Sequence, residues 1–343
     1  MEAILDIFRA LADPTRIRIM LLLLKMELAV GELAQILEQS QPRISRHIRI
    51  LDEAGLAERR KEGSWVFLRP GQAAELDILR RLFRSETVIS SQQAVHDEAK
   101  LALVRKARAE MAEQYFKAHA EEWDAIRSLH LPEDAVEQAM LALLKDVNLG
   151  HFLDIGTGTG RMVELFGPNS EKVTALDKSP EMLRLARAKI LGNEGDKTAE
   201  AALARKTELK LGDFNHLPIG DSQIDSVILH QVLHYAPYPE AVLAEVSRVL
   251  RNNGTVMIVD FASHDREELR TAHAHARLGF SDDSMKRWFA ASQIDMVQSR
   301  TLDGGELTVK IWVGRKSSMP RIHADEGKTS FADISNKSKR AAL

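Results

Sequence analysis

Hydrophobic and polar residues alternate in two different ways along this chain of 343 residues. Up to about residue 115, apolar residues recur every three or four positions, as in helices that bury one face. From about residue 116 to 316, short apolar runs typical of buried strands alternate with helical patterns. Such alternation is typical of a parallel sheet whose strands are connected by helices. We therefore predict an N-terminal helical part and a C-terminal α/β part.

The same pattern divides the chain into four segments. Residues 1–70 combine short helices with one hairpin. Residues 71–115 contain no proline and no glycine after Gly71, which predicts long helices acting as a connector or dimerisation arm. Residues 116–316 form the predicted α/β domain, and the polar, aperiodic residues 317–343 predict a disordered tail. More than one domain is also expected from the length, because a domain usually takes about 100–200 residues.

A helix-turn-helix is predicted within the first segment. A helix opens at Asp13, with this residue as the N-cap, and Val30–Leu37 forms the next helix. A polar turn follows, and Ser40 can cap a further helix over Gln41–Ala54. The apolar stripe of this last helix leaves a basic and amide-bearing face exposed. Two helices joined in this way offer hydrogen-bond donors to DNA bases and phosphates.

A basic wing is predicted to follow, as a hairpin of Leu56–Lys61 with Trp65–Arg69. From Arg43 to Arg69 the chain has seven basic and four acidic residues, a local excess of three positive charges in a chain of formal charge −3. A winged helix can also bind another protein, but the basic helix face and wing favour DNA. The residues predicted to contact DNA are Gln41, Arg43, Ser45, Arg46, His47, Arg59, Arg60 and Lys61.

A glycine-rich loop follows the first strand of the α/β segment. The run Phe152–Gly160 passes from apolar residues into alternate glycines, where the backbone can approach a ligand closely. The spacing is G-x-G-x-G and the next residue is the bulky Arg161, whereas dinucleotide sites use G-x-G-x-x-G. This spacing disfavours NAD and FAD.

Three further strand ends carry side chains suited to a nucleoside. The second strand ends in Asp177, where an acid can accept both hydrogen bonds of a ribose diol. The third ends at Asp213 and Phe214, an acid and a ring suited to the amine and flat face of adenine, and the fourth opens into His230 and Gln231. Because the carboxyl ends of parallel strands meet at one edge of a sheet, we predict one crevice there.

Histidines are concentrated in one stretch of the α/β segment, since six of the 12 lie between His216 and His275. They could serve as a general base or metal site in an acceptor pocket, or simply decorate polar helices. His273 and His275 are two residues apart and do not share a helix face, so the spacing of metal ligands is not met and we predict no metal. Polar residues clustered after the fifth strand are Asp260, His264, Asp265, His273 and His275. The candidate catalytic residues are His234, Tyr235 and His264.

Composition narrows the chemistry further. The chain has no cysteine, which excludes disulfides, thiolate metal sites and cysteine nucleophiles within it. Its longest apolar run near the start is far shorter than the roughly 20 residues that span a bilayer, and it lacks the order of a signal peptide. We therefore predict a cytoplasmic protein without a membrane partner.

The first 70 residues or so closely resemble the ArsR family of winged-helix repressors. The similar motifs are ALADPTR at residues 10–16, SRHI at 45–48, LDEAGL at 51–56 and the wing at Gly63. The resemblance implies a homodimer that binds a double-stranded operator. Metal-sensing members use cysteines that this chain lacks, so a different inducer is implied.

From about residue 115 to 316 the chain resembles class I methyltransferases that depend on S-adenosylmethionine (SAM), most closely the ubiquinone-biosynthesis type. The similar motifs are residues 154–160, Asp177, 212–214, 229–234 and 248–255. The resemblance implies a Rossmann-like sheet of seven strands, ending in an antiparallel hairpin, and SAM or S-adenosylhomocysteine (SAH) as the cofactor. The residues predicted to bind it are Asp154, Gly156, Thr157, Gly158, Gly160, Asp177, Lys178, Met182, Gly212, Asp213, Phe214, His230 and Gln231.

Two functions fit this combination of α+β winged helix and α/β domain. One is a transcriptional regulator that senses SAM or SAH, and the other is a small-molecule methyltransferase that regulates its own gene. An interaction module with a vestigial pocket is the third interpretation. DNA is disfavoured as the methyl acceptor, because cytosine C5 methylation needs a cysteine and the residues after the fourth strand, His230-Gln231-Val232, do not match amino-methylating enzymes. Arsenic methylation is disfavoured by the lack of thiolates.

Overall fold

A computed structural model describes most of the chain. The described residues are 2–62, 65–71, 79, 83, 91–119, 133–191, 199–303 and 305–318. Most of the predicted tail, most of residues 72–90 and the turn of the wing at 63–64 lie outside them. Within the described residues, no helix is both long enough and apolar enough to cross a membrane.

Four helices and a small antiparallel sheet form the N-terminal part, with strand order β1-β3-β2. The elements are α1 (Glu2–Leu11), α2 (Pro14–Leu23), β1 (Leu28–Ala29), α3 (Val30–Leu37), α4 (Gln41–Glu53), β2 (Ala57–Glu62) and β3 (Trp65–Pro70). The predicted helix-turn-helix and its hairpin are confirmed, with α4 one residue shorter than predicted.

The N-terminal capping predicted for α2 and for α4 differs in the structure. The Asp13 carboxylate accepts hydrogen bonds from the backbone N–H of Thr15 and Arg16, at 2.8 and 3.2 Å, which confirms it as the N-cap of α2. Ser40 occupies the N-cap position of α4, but its side chain makes no capping hydrogen bond. Ser40 is therefore the N-cap residue of α4 by position, as predicted, but it does not cap the helix through its side chain. Pro42 in the first turn suits a helix start, where one N–H has no helical partner to lose.

A long helix, α5 (Gln92–His119), begins on the winged helix. Arg18 of α2 donates two hydrogen bonds of 2.7 Å to the Asp97 carboxylate, and Leu101 and Val104 are buried in the N-terminal core. The first half of α5 is therefore fixed to the helix-turn-helix.

The C-terminal part is a seven-stranded sheet of order β6-β5-β4-β7-β8-β10-β9. Its strands are β4 (His151–Ile155), β5 (Lys172–Asp177), β6 (Thr207–Leu211), β7 (Ile224–His230), β8 (Leu250–Phe261), β9 (Ile294–Leu302) and β10 (Val309–Lys316). Neighbouring pairs from β6 to β8 are parallel, and β10 runs antiparallel to both β8 and β9. The predicted Rossmann-like sheet with an antiparallel terminal hairpin is confirmed.

Helices cover both faces of this sheet. They are α6 (Glu133–Leu144), α7 (Arg161–Phe166), α8 (Pro180–Leu191), α9 (Ala199–Lys206), α10 (Pro239–Val249), α11 (Glu268–Ala272) and α12 (Asp282–Ala291). One core contains Met140 of α6, Phe166 of α7 and Phe152 of β4, and the other contains Val246 of α10 and Phe289 of α12. The order of the strands reverses at β4, so ligands are expected at its carboxyl end.

Candidate functional site

The loop between β4 and α7 fits tightly against its neighbours. Gly156, Gly158 and Gly160 have φ angles of 70, 52 and 91°, a region that favours glycine. A Cβ atom on Gly156 would collide with Val232, and one on Gly160 would lie 2.5 Å from Cδ1 of Ile190 in α8. Both conformation and space therefore require glycine at these two positions.

Two predicted cofactor residues at this loop contact each other. Asp154, at the end of β4, is buried, and one of its carboxylate oxygens accepts a hydrogen bond of 2.6 Å from the Thr157 hydroxyl. This bond fixes the first turn of the loop against the strand.

The Asp177 carboxylate lies beside the same loop. Its Oδ2 accepts the N–H of Gly158 and its Oδ1 accepts the N–H of Ser179, both at 2.8 Å. Each carboxylate oxygen can accept a second hydrogen bond, which a vicinal diol could supply. Burial raises the pKa of Asp177 above its ordinary value, although the backbone N–H groups favour the ionised form.

The ends of β5 and β6 lie side by side. The backbone N–H of Gly212 donates to the Asp177 carbonyl at 2.9 Å, and Lys178 Nζ lies 3.3 Å from a carboxylate oxygen of Asp213. Phe214 is half-buried against the core. Met182 is fully buried in the first turn of α8. Its predicted contact with a cofactor stays a prediction.

The end of β7 carries backbone strain. Gln231 has a φ of 52°, which is unfavourable for a residue with a side chain, and its N–H donates to the Val259 carbonyl at 2.7 Å. His230, the last residue of β7, is half-buried beside it. Strain of this kind is concentrated at functional sites in proteins.

A buried histidine–aspartate pair follows this strand end. The helical turn Leu233–Tyr235 places His234 so that its Nδ1 lies 2.9 Å from an oxygen of Asp260, at the end of β8. The His234 ring also lies 4.0 Å from that of Tyr235 and 4.1 Å from that of His275, measured between centroids. The sequence places Asp260 only within a polar cluster, because its pairing with His234 depends on how β7 and β8 align.

The third candidate catalytic residue, His264, lies at the edge of this group. Its ring is 6.2 Å from Phe261, and its Nδ1 accepts the N–H of Arg266 at 3.2 Å. In the described part of the chain, no three histidine or acidic side chains are grouped so that they could hold a metal ion.

The outer face of α4 carries four of the eight predicted DNA contacts, Gln41, Arg43, Ser45 and Arg46. Ile44, Ile48 and Leu51 are buried. The exposed side chains are Gln41, Arg43, Ser45, Arg46 and Arg49. The prediction that His47 shares this face is wrong, because it is only 9% exposed and its Nδ1 lies 3.8 Å from the Asp13 carboxylate. Burial lowers the pKa of the His47 imidazole, in spite of that neighbouring acid.

The wing divides its three basic residues between two faces. Arg59 and Lys61 are exposed, and Arg59 lies 3.1 Å from Asp52. Successive side chains of a strand point to opposite faces, so Arg60 points the other way and donates a hydrogen bond of 3.0 Å to Glu27. The prediction that Arg60 joins the outer basic surface is therefore wrong.

Glu27 is the centre of a contact between the two parts of the chain that the sequence does not reveal. It is 7% exposed, and its second carboxylate oxygen accepts a hydrogen bond of 2.7 Å from Arg277, which precedes α12. Burial would raise the pKa of Glu27, but the charges and hydrogen bonds of Arg277 and Arg60 outweigh it and lower the pKa. The contact joins residues 250 positions apart, beyond the reach of local patterns.

Arginines also surround the wing residue Phe67. The guanidinium carbons of Arg60, Arg270 and Arg277 lie 5.4, 5.3 and 5.5 Å from the centre of its ring. Cation–π contacts of this kind are strengthened when water is excluded. One face of the wing is thus covered by the segment that follows β8.

The protein combines two domains: a helix-turn-helix and, after it, a methyltransferase domain. Residues 153–258 match the family model described as a methyltransferase domain, and residues 13–59 match the model of bacterial regulatory proteins of the arsR family. The chain belongs to the methyltransferase family and joins its domain to a helix-turn-helix of the ArsR type.

Relatives match the two parts separately. A phosphatidylethanolamine N-methyltransferase of Cereibacter sphaeroides is 32% identical over 46% of this chain and 76% of its own length. An arsenite methyltransferase of Halobacterium salinarum is 30% identical over 41% of this chain and 38% of its own. The arsenical resistance operon repressor of Escherichia coli is 50% identical over 19% of this chain and 56% of its own. The chain thus spans little more than half of this repressor and well under half of the arsenite enzyme.

Proposed function

We propose that this protein is a DNA-binding transcriptional regulator whose affinity for its operator is controlled by SAM or SAH. The observation that carries the proposal is the buried contact of Glu27 with Arg60 of the wing and with Arg277 of the methyltransferase domain. If the cofactor domain were merely linked to the helix-turn-helix by the chain, no buried contact between that domain and the wing would be needed.

The crevice residues fit an adenosyl ligand. Asp177 retains acceptor positions for a ribose diol, and Asp213 with Phe214 lies at the neighbouring strand end, where the adenine would be held. Gly158 and its neighbours in the loop would face the methionine part. When bound, SAM supplies a methyl group already activated by the sulfonium.

A chain of contacts connects this crevice with the wing. The backbone N–H of Arg277 donates to the carbonyl of His234 at 2.9 Å, next to the strained end of β7. The Arg277 side chain then bonds Glu27, which bonds Arg60. A ligand whose binding shifts the His234 turn would therefore change how Arg277 and Glu27 hold the wing.

DNA binding is supported by the exposed basic face of α4 and by Arg59 and Lys61 on the outer face of the wing. Arginine, glutamine and serine side chains in the major groove can read bases and phosphates. DNA binding also requires access to the chromosome, so the proposal places the protein in the cytoplasm.

A homodimer is part of the proposal. Ile4, Leu5 and Phe8 expose apolar side chains on α1, Phe8 to 62%, and α5 exposes Val95 and Leu103. Exposed apolar groups on the helices that flank the helix-turn-helix favour association with a second copy. Two-fold symmetry would present two recognition helices to the halves of a palindromic operator.

The coupling can be tested by gel shift with the DNA upstream of the gene, with SAM, with SAH and with neither. Loss of one partner of a buried ion pair costs about 3–5 kcal/mol, so Glu27→Gln and Arg277→Met are combined to remove both charges. We expect the double variant to bind SAM and DNA but to lose the effect of the ligand on operator affinity.

Arg251→Met is the matched control, because Arg251 pairs with Asp225 at the opposite end of the sheet. It should keep the full ligand response. An equal response in the double variant would contradict the proposed coupling, and the lack of any response in the native protein would contradict control by either ligand.

The second candidate function is methylation of a small molecule by an enzyme that regulates its own gene. The pairing of His234 with Asp260 favours it, because a regulator that only binds SAM or SAH has no need of a proton acceptor. Methylation of arsenite, the activity in the name of one relative, is not proposed for this chain, because the chain contains no cysteine thiolate.

A further inference from the structure

We propose that His234, oriented by Asp260, accepts the proton of a hydroxyl group on a planar acceptor while SAM methylates that group. The protein would then be an enzyme as well as a regulator. The inference rests on the cofactor crevice of the proposed function, but not on the coupling between the crevice and the wing.

Asp260 fixes the imidazole in one tautomer. Its Oδ1 accepts from the His234 ring at 2.9 Å and from the N–H of Phe261 at 2.8 Å, while its Oδ2 accepts from the backbone N–H of His234 at 3.1 Å. A carboxylate only accepts hydrogen bonds, so the ring proton lies on Nδ1. The Nε2 atom then carries a lone pair, as in a general base.

The Nε2 atom is the feature that packing leaves unexplained. His234 is 2% exposed, yet Nε2 has no hydrogen-bond partner among the residues that the structure describes. Native proteins rarely leave a buried acceptor unsatisfied, and each such atom calls for an explanation such as strain or chemistry. A proton-bearing ligand would satisfy this atom.

The position of the pair suits the reaction. His234 lies three residues beyond Gln231, whose strained backbone ends β7, and Asp260 lies near the end of the adjacent strand β8. Both strand ends belong to the edge of the sheet that also carries Asp154 and Asp177. An acceptor held by His234 would therefore lie beside the cofactor crevice.

The chemistry defines the class of acceptor. The acceptor oxygen forms a bond to the methyl carbon as the bond from carbon to sulfur breaks, and the electron pair of that bond stays on sulfur, which leaves neutral SAH. The proton of the hydroxyl passes to Nε2, and Asp260 balances the charge of the imidazolium. An acceptor with no proton to lose, such as a thioether, would need no such residue.

The surroundings of His234 favour a flat acceptor. The rings of Tyr235, Phe261 and His275 lie 4.0, 5.2 and 4.1 Å from the His234 ring, between centroids. Aromatic rings stack on planar groups. A phenolic or enolic hydroxyl combines this shape with a removable proton.

The test uses full-length protein, SAM with a tritiated methyl group, and three acceptor preparations: catechol, aniline and the small-molecule filtrate of the host lysate. We expect label on catechol or on a hydroxyl compound of the filtrate. His234→Asn should lower kcat about 100-fold, the usual scale of a general base, with unchanged affinity for SAM in calorimetry.

Asp260→Asn tests the positioning role. It should lower kcat at least tenfold while the KM for SAM stays constant. Nitrogen-15 NMR of histidine-labelled protein should show His234 protonated at Nδ1 and a change of this signal in the variant. His96→Asn is the matched control, because His96 lies on α5 beside Glu38 of the winged helix. Its turnover should equal that of the native protein.

Three results would overturn the inference: undiminished transfer in His234→Asn, a proton on Nε2 of the native histidine, or no transfer to any preparation by protein that binds SAM. Label on aniline alone would refute the hydroxyl class. Failure of the regulatory proposal is distinct, since it would abolish the ligand-dependent gel shift while transfer continued.

Discussion

At the scale of single residues, Asp177 carries most of the case for a nucleoside ligand. One carboxylate oxygen accepts the backbone N–H of Gly158 and the other that of Ser179, and the N–H of Lys178 is a further partner. Because two carboxylate oxygens offer about four acceptor positions, the carboxylate can still accept a hydrogen bond from a ligand. The sequence places an acid at this strand end, but the backbone hydrogen bonds that orient it depend on the folded loop.

We expect Asp177→Ala to weaken SAM binding by roughly 1–3 kcal/mol, the cost of leaving the hydrogen bonds of a buried diol unmade. Calorimetry measures this directly. Binding to the native protein should also weaken as the pH falls, because the diol needs the carboxylate and burial raises the pKa of Asp177, so the loss begins at a higher pH than for an exposed aspartate.

Asp221→Asn is the control for this measurement, because Asp221 is exposed and pairs with Arg248 away from the crevice. It should leave both the affinity and its pH dependence unchanged. Equal affinity in Asp177→Ala would show that the carboxylate does not hold the ligand.

At the scale of elements, the wing and α4 show what periodicity can and cannot predict. The stripe of Ile44, Ile48 and Leu51 is buried, as the helical period requires. His47 lies next to this stripe and is also buried, because its ring packs beside Asp13 at the start of α2. Which residues of α4 are buried therefore depends also on α2, and the periodicity of α4 alone does not record the position of α2.

Substitutions in α4 should separate the two roles. Arg46→Ala should weaken operator binding by about 1–3 kcal/mol, if the side chain contacts a base, and leave the melting temperature unchanged. His47→Ala should instead lower the melting temperature, because the imidazole is buried beside Asp13 at the start of α2. Gel shifts and thermal unfolding of both variants would check this, and an unchanged gel shift in Arg46→Ala would remove α4 from the DNA interface.

At the scale of the whole molecule, the two parts of the chain are held together by charge as well as by apolar contact. Glu27 is buried between two arginines, and the hydroxyl of Tyr238 donates to the sulfur of Met26 at 2.7 Å. Replacing a buried ion pair by apolar residues often costs little stability. We therefore regard the Glu27 contact as a device for orientation, consistent with its proposed role in coupling.

The proposed dimer leads to a prediction at the same scale. Phe8→Asp places a charge among the exposed apolar residues of α1 and should convert the dimer to a monomer without unfolding it, since Phe8 is 62% exposed. Analytical ultracentrifugation would measure the change, and operator affinity should fall because each monomer reaches only one half-site. A native protein that sediments as a monomer would contradict the proposal.

The sequence by itself determined the local features of this protein. Asp13 caps α2 through groups two and three residues away, α3 spans the predicted residues, and the apolar runs became the strands of a seven-stranded sheet. Each of these depends on neighbours along the chain, and periodicity records such neighbours directly.

Tertiary structure alone decided which distant side chains meet. It paired His234 with Asp260, turned Arg60 of the wing inward and placed Glu27 against Arg277. Buried polar groups need partners, and a partner can come from any element that packs nearby. That choice depends on the relative positions of whole elements, which no local pattern specifies.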